Sequence, residues 1–177
     1  FGSPLERMWG RNKFFFFYFS AGLGAALIHT GVNYYHFNAG MSALVESGIT
    51  EGNVMEIISS GRYSPGWYEI AGKSTIDNFL SAYNTPAVGA SGAIYGVLVA
   101  FGMSYPNSEL FLMLIPVPIK AKYFIPVLIG LDLFSGVTGY SLFGQGIAHF
   151  AHIGGALFGF LMMWYWKKNQ FNNNRWD

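Results

Sequence analysis

Two short stretches of this sequence carry side chains that could do chemistry, residues 89–96 and 148–155. The first reads GASGAIYG and contains Ser91; the second reads AHFAHIGG and contains His149 and His152. A serine between small residues at the start of a helix lies beside free backbone N–H groups and the positive end of the helix dipole, as an acyl-transfer nucleophile requires. A nearby imidazole can take the hydroxyl proton and return it to a leaving amine. The pattern therefore predicts serine-histidine catalysis without deciding between the two histidines.

Each of these residues also has an interpretation without catalysis. A serine in a membrane helix commonly returns its hydroxyl to a backbone carbonyl, and a buried histidine can bond a carbonyl of the next helix. His149 and His152 share one helix face, so they could also ligate a metal or serve a transporter. No third ligand is evident, and we predict no metal and no cofactor. Asp132, the only acid within an apolar segment, is expected to bond a neighbouring helix rather than complete a triad.

The composition indicates a membrane protein. Of 177 residues, 52% are hydrophobic and 11% are charged, and the mean hydropathy is +0.32. Charged residues make up about 25% of ordinary soluble domains. A net charge of +1 without a basic stripe argues against nucleic acid as a partner. The absence of cysteine excludes disulfides, cysteine-ligated zinc and thiol catalysis.

Four apolar segments approach the roughly 20 residues that a helix needs to cross a bilayer. They cover about residues 14–37, 88–105, 121–137 and 145–166. Between the second and the third, residues 110–118 contain two prolines, which predict an interfacial or re-entrant turn. The sequence therefore predicts an all-α fold, a polytopic bundle of membrane helices.

The basic residues predict how these helices are oriented. Eight of the ten Lys and Arg residues lie before the first segment, between the second and third, or after the fourth. Short loops rich in Lys and Arg stay on the cytoplasmic side. The second and fourth segments thus enter from the outer side, which places Ser91 and His152 near the outer membrane face.

Residues 38–87 are too polar to cross a membrane and form a predicted extracytoplasmic insert. Thr50 is expected to begin a short helix that runs through Ile58. Ser74, followed by an acid three residues later, resembles a helix N-cap and predicts a second short helix.

Small residues predict which helices pack together. Gly92 and Gly96 lie four residues apart in the second segment, and Gly155 and Gly159 do so in the fourth. Glycines at this spacing let helix backbones approach closely. Contact between the two rows would bring Ser91 within reach of an imidazole.

Residues 89–92 (GASG) and 151–155 (AHIGG) resemble the two active-site motifs of the rhomboid intramembrane serine proteases. Residues 1–6 and 116–122 are similar to further parts of that family. The resemblance covers nearly the whole chain except about residues 38–84.

The resemblance implies a role for each candidate residue. Ser91 is the nucleophile and His152 is the general base, with His149 one turn outward as a supporting or gating residue. Tyr95 packs against the catalytic imidazole. Two glycines support the nucleophile and the oxyanion site: Gly89 and Gly92.

Rhomboid cores have six helices, and the second carries a His-x-x-x-Asn motif that helps to form the oxyanion hole. We expect that this chain lacks the first helix and that motif. Residues 1–177 would then form one rhomboid-like membrane domain, incomplete at its N-terminus, with four of the six core helices visible.

The implied function is an intramembrane serine endopeptidase that cleaves transmembrane protein substrates near the outer membrane face by a Ser-His dyad. The alternative is a non-catalytic rhomboid-like protein that binds membrane clients. Either protein would be a multi-pass integral membrane protein surrounded by membrane lipids, in the cell inner membrane if it is bacterial.

Overall fold

A computed structural model of the chain describes residues 1–84, 90–112, 115–138 and 148–170. Within these residues helices dominate, accompanied by one two-stranded antiparallel sheet, and the predicted all-α fold is confirmed. The helices are α1 (Gly2–Trp9), α2 (Arg11–Glu46), α3 (Glu51–Ser59), α4 (Trp67–Ala71), α5 (Lys73–Asn84), α6 (Ser91–Ser104), α7 (Ala121–Thr138) and α8 (His149–Gln170). The strands are β1 (Glu109–Leu112) and β2 (Ile115–Lys120).

The chain divides into two compact units, one formed by Phe1–Ile28 with Ala87–Asp177 and the other by His29–Pro86. Each unit has its own apolar core. The core of the first unit contains Leu5, Phe17, Val97, Leu98, Val99, Ala100, Phe101, Ala121, Ile125, Ala156 and Met163. The core of the second contains Met41, Leu44, Val54, Ile58, Trp67, Ile76 and Phe79.

The four apolar segments correspond to α2, α6, α7 and α8. Among the described helices, α2 and α7 are long and apolar enough to cross a membrane, whereas α6 is a shorter apolar helix of 14 residues. Large apolar side chains also lie exposed on these helices, such as Leu23 at 69% and Val137 at 71%. Exposed apolar surface of this kind suits contact with lipid. These features are consistent with the predicted membrane protein, although α8, the fourth predicted span, is not among the described helices apolar enough to cross.

Several helix ends differ from the predicted ones. The first helix does not end near residue 37 but continues to Glu46, because residues 38–46 contain no proline and, apart from Gly40, are compatible with a helix. Gly48 adopts a φ of 96°, which ends the helix region. The structure begins α8 at His149, and the predicted start near 145 falls outside the described residues, as do residues 85–89 before α6.

Helices α6 and α8 run parallel. Near their N-terminal ends, a Cβ added at Gly92 would lie 3.0 Å from the Ala151 carbonyl oxygen. At the other end, Lys167 Nζ donates to the Met103 carbonyl oxygen over 2.6 Å. A cation at the C-terminus of α6 also interacts favourably with the helix dipole. The parallel arrangement places the start of α6 and the start of α8 at the same end of the first unit.

Short helices dominate the second unit, and one of their predicted starts is wrong. Helix α3 is confirmed: Thr50 is its N-cap, and its hydroxyl accepts from Asn53 N at 3.4 Å. Helix α5 begins at Lys73, so Ser74 lies inside the helix and is not its cap. Gly72, with a φ of 78°, precedes α5 and sets its start instead. The five-residue helix α4 was not predicted, because five residues are too few to show a helical period.

Residues around the predicted interfacial turn form a β-hairpin instead. Strands β1 and β2 pair antiparallel, with Glu109 opposite Lys120 and Leu110 opposite Ile119. Pro116 lies in β2, where a missing backbone N–H is tolerated because both strands of a two-stranded sheet are edge strands. The connecting residues 113–114 lie outside the described part of the chain.

Candidate functional site

The backbones of α6 and α8 touch where the two glycine rows meet. A Cβ at Gly159 would lie 2.6 Å from Gly96 Cα, and one at Gly96 would lie 3.0 Å from the Gly155 carbonyl oxygen. A Cβ at Gly155 would overlap the Gly92 carbonyl oxygen. Real side chains cannot occupy such space, so only glycine allows this approach. The four glycines therefore lie in a single contact between the two helices.

Ser91 is the first residue of α6 and is half-buried. Its N-cap, Ala90, has no side chain that could cap the helix. The first N–H groups of a helix have no carbonyl partner within the helix, so backbone donors are available beside the Ser91 hydroxyl. Gly89, the other small residue predicted to support this position, lies outside the described residues.

Tyr95 follows Ser91 by about one helical turn and reaches across to α8. Its ring stacks on the imidazole of His152, with centroids 4.2 Å apart and an interplanar angle of 8°. Its hydroxyl donates a short hydrogen bond to Asp132 Oδ2 on α7. One side chain of α6 thus contacts both neighbouring helices.

Three ionisable side chains meet where α7 and α8 pack together. His149 Nδ1 lies 2.6 Å from Asp132 Oδ1, and His152 Nδ1 lies 3.3 Å from Asp132 Oδ2. Asp132 is 1% exposed and His149 is 9% exposed. An acid buried so fully is stable only when its oxygens accept hydrogen bonds, which Tyr95, His149 and His152 supply.

Sequence reasoning considered Asp132 as a triad member and as a third metal ligand beside the histidines, but found no spacing that tied it to either of them. Asp132 lies 17 and 20 residues before them, a separation without helical periodicity. The only signal in the sequence was the presence of an acid in an apolar segment, and it led us to expect a bond to another helix. The structure gives that bond two specific partners, the histidines of the candidate site.

Ser91 and His152 lie on helices that touch, but they are not bonded to each other. Gly92, next to Ser91, packs against the carbonyl of Ala151, next to His152. In the part of the chain that the structure describes, no hydrogen bond joins the Ser91 hydroxyl to the His152 imidazole. The structure therefore brings the two residues to neighbouring positions at one end of the α6–α8 contact.

The same three side chains could hold a metal ion. One ligand atom from each of Asp132, His149 and His152 lies within 4.8 Å of the others. Two nitrogen or oxygen ligands at 2.0–2.1 Å from one tetrahedral zinc ion are about 3.3 Å apart. The 2.6 Å separation of His149 Nδ1 and Asp132 Oδ1 is a hydrogen-bond length instead. The arrangement fits a hydrogen-bonded network better than a metal centre.

A further pair was missed in the sequence. We expected this chain to lack the His-x-x-x-Asn motif, but His29 and Asn33 have that spacing. The expectation that the pattern is absent is therefore wrong. Both lie in α2, where His29 Nε2 and Asn33 Nδ2 are 3.0 Å apart. They belong to the second unit, and the resemblance assigns its motif to a different helix, so we give this pair no part in the site.

Comparison with known proteins gives a family and several relatives. A family model for the rhomboid domain matches residues 52–169, and it therefore begins inside the predicted insert. The presenilin-associated rhomboid-like protein A, mitochondrial, of Danio rerio is 40% identical over 81 residues, which are 45% of this chain and 19% of that protein. Rhomboid protein 1, mitochondrial, of Saccharomyces cerevisiae is 32% identical over 83 residues, 47% of this chain and 23% of that protein.

The chain spans only about a fifth of the length of the curated relatives that it matches. No solved structure matches it significantly. The family match covers more than half of the chain, and it includes both the Ser91 and the His152 stretches. On this match, the chain belongs to the rhomboid family.

Proposed function

We propose that this chain is the core of an intramembrane serine endopeptidase that cleaves transmembrane protein substrates near the outer membrane face. The observation that carries the proposal is the position of Tyr95. It lies one turn after Ser91 on α6, and its ring stacks on His152 of α8. Tyr95 thus connects the first turn of α6, which carries the candidate nucleophile, to the imidazole of the candidate base.

Ser91 Oγ attacks the scissile carbonyl carbon while His152 Nε2 takes the hydroxyl proton. The imidazolium then gives this proton to the leaving amine, and water hydrolyses the acyl-enzyme with the same imidazole as base. The Ser91 backbone N–H, at the positive end of α6, donates to the developing oxyanion. Gly92, beside the nucleophile, lets α6 approach α8 closely.

The substrate must present an extended peptide bond, because a helical backbone hides its carbonyls in internal hydrogen bonds. Transmembrane segments with Gly, Ala or Ser near the cut are the expected substrates, because small side chains leave the peptide bond accessible and Gly also weakens the helix. The proposed protein is multi-pass, is surrounded by lipid and lies in the cell inner membrane if it is bacterial. His149 supports the site one turn outward from the base.

Cleavage of a model transmembrane substrate by the full-length protein in liposomes tests this proposal. Ser91→Ala and His152→Ala are each expected to abolish cleavage. Ser104→Ala, at the other end of the same helix, is the matched control and should cleave as the wild type does. Cleavage that persists in Ser91→Ala would exclude Ser91 as the nucleophile and contradict the proposal.

The absence of a Ser91–His152 hydrogen bond in the described residues favours one competitor, a non-catalytic rhomboid-like protein that binds membrane clients. Catalytic hydrogen bonds are often long before substrate binds, so this observation does not outweigh the stacking of Tyr95 on His152. The competitor predicts that the wild-type protein binds the model substrate without cleaving it.

A further inference from the structure

Asp132 accepts three hydrogen bonds in a buried position. Its partners are the hydroxyl of Tyr95 and the Nδ1 atoms of His149 and His152. An ionised carboxylate carries no proton, so it can only accept, and its two oxygens offer about four acceptor positions. Each of the three partners must therefore donate, and the carboxylate can satisfy all of them.

This requirement fixes which nitrogen of His152 carries the proton. A neutral imidazole has one N–H, and the nitrogen without it is an acceptor. If Nδ1 donates to Asp132, then Nε2 is unprotonated, which is the form that a general base needs. The side chain of His152 remains 12% exposed, whereas that of Asp132 is 2% exposed. The buried carboxylate thus keeps the proton of His152 on Nδ1 and leaves Nε2 without a proton.

Asp132 also holds the plane of the His152 ring, in two ways. It contacts Nδ1 directly at 3.3 Å, and it binds the hydroxyl of Tyr95, whose ring stacks on the imidazole at 4.2 Å. A ring held by a hydrogen bond at its edge and a stacked ring on its face has little freedom to rotate. Loss of the carboxylate would weaken both restraints together.

His149 explains why the carboxylate stays in place. It occupies the other oxygen, Oδ1, at 2.6 Å and lies about one turn before His152 on α8. The two histidines therefore do not compete for one oxygen. His149 holds Asp132 against α8, and Asp132 then orients the second imidazole.

We propose that Asp132 is a positioning residue for His152: it keeps the imidazole in the form with Nδ1 protonated and in the orientation fixed by Tyr95, and His149 holds Asp132 for this task. The inference rests on the proposed function of Ser91 and His152. With this role for Asp132, the site consists of three side chains on three helices: Ser91 on α6, Asp132 on α7 and His152 on α8. The competing interpretation is that Asp132 only joins the helices.

Asp132→Asn in the full-length protein separates the two interpretations. The amide must present an NH₂ group where one carboxylate oxygen accepted, so one of the three donors loses its acceptor. We expect kcat for a transmembrane substrate to fall on the order of 10²-fold or more, with KM unchanged within about twofold. Asp77→Asn, an exposed Asp outside the site, is the matched control and should keep the wild-type kcat.

The ¹⁵N NMR signal of the histidine rings gives a readout that helix joining alone would not move. The wild-type protein should show His152 in the Nδ1–H form, and Asp132→Asn should increase the share of the Nε2–H form. Asp132→Glu keeps an acceptor-only group and should recover part of kcat. Should Asp132→Asn fold poorly, His149→Asn retains a donor near Oδ1 and should cost less activity than His149→Ala.

The outcomes distinguish this inference from the proposed function. If Ser91→Ala is inactive but Asp132→Asn keeps the wild-type kcat and the Nδ1–H form, the positioning role is wrong and the function stands. If Ser91→Ala still cleaves, the proposed function is wrong, and the NMR comparison still decides whether Asp132 sets the proton on His152. A parallel fall in thermal stability and folded yield, with normal kcat per folded molecule, would also overturn the positioning role.

Discussion

Each unit of the chain has an apolar core, but the units differ in how their central helices meet. In the second unit, large side chains such as Phe79, Trp67 and Leu44 fill a core with 0–2% exposure. In the first unit, α6 and α8 meet through glycines, and polar side chains are buried beside the contact. Helix packing in the second unit depends on large side chains that fill its core, whereas the α6–α8 contact of the first unit depends on the absence of side chains at four glycines. The same kind of substitution should therefore have different consequences in the two units.

Phe79→Ala is expected to have the largest effect on stability. The side chain is fully buried and its ring contacts the rings of Phe37 and Trp67, so truncation leaves a cavity that costs about 3–5 kcal/mol. Amide hydrogen exchange in α5 and α3 measures this loss locally. Tyr63→Ala, which removes a side chain that is 52% exposed, is the control and should change exchange little. Equal protection in both variants would show that the second unit does not depend on its aromatic core.

Gly155→Ala tests the glycine contact of the first unit. The new methyl group meets the backbone carbonyl of Gly92, which cannot move aside, so we expect a loss on the order of 1–3 kcal/mol. Gly130→Ala makes the same change on α7, where nothing lies within 4 Å of the added Cβ. That variant should gain about 0.5–1 kcal/mol, because alanine favours helix over glycine.

Thermal unfolding in detergent, followed by tryptophan fluorescence, measures both glycine variants. We predict that Gly155→Ala lowers the free energy of unfolding and that Gly130→Ala raises it, although both variants add the same methyl group. A Gly155→Ala protein as stable as the wild type would mean that α6 and α8 are not in backbone contact.

Tyr95→Phe is expected to lower the rate of cleavage about tenfold. The ring can still stack on His152, but Asp132 loses one donor, and a hydrogen bond to a charged group contributes about 1.5–3 kcal/mol. Tyr95→Leu removes the stacking ring as well and should be slower still. Tyr105→Phe, whose hydroxyl makes only a long 3.4 Å bond to the Pro4 carbonyl oxygen, is the control and should keep the wild-type rate. A wild-type rate in Tyr95→Leu would remove Tyr95 from the site.

Thr50→Ala should have the smallest effect. The Thr50 hydroxyl accepts from Asn53 N at the start of α3, and its loss costs about 1 kcal/mol or less because the bond is 3.4 Å long. Faster hydrogen exchange of the Asn53 amide would report the loss of this hydrogen bond. Thr50→Ser keeps the acceptor and should restore the protection, whereas equal exchange in Thr50→Ser and Thr50→Ala would show that the cap does not operate.

The sequence was most informative where one physical signal acts alone. Apolar stretches of nearly membrane length predicted α2, α6, α7 and α8, since the bilayer thickness selects for length and hydrophobicity together. The cap at Thr50 predicted α3, because an N-cap is a local hydrogen bond. The family motifs identified the stretches around Ser91 and His152.

The sequence was least informative where the structure depends on contacts between distant residues. The bonds from Asp132 to the two histidines join different helices, and no local pattern encodes them. The hairpin of β1 and β2 contains prolines, which single-sequence reasoning takes as evidence against strands. The extension of α2 to Glu46 was missed because Asn38 and Gly40 interrupt the apolar stretch, whereas Met41 and Leu44 beyond them pack in the core of the second unit.

The most direct test of the account is the site at which a fluorophosphonate attaches to the full-length protein. A nucleophilic serine forms an oxygen–phosphorus bond while the phosphorus–fluorine bond breaks and fluoride leaves, and mass spectrometry of the digested protein locates the adduct. We predict one adduct, on Ser91, that forms in the wild type and is lost in His152→Ala. An adduct on another serine, or an undiminished Ser91 adduct in His152→Ala, would contradict a cooperating Ser91 and His152.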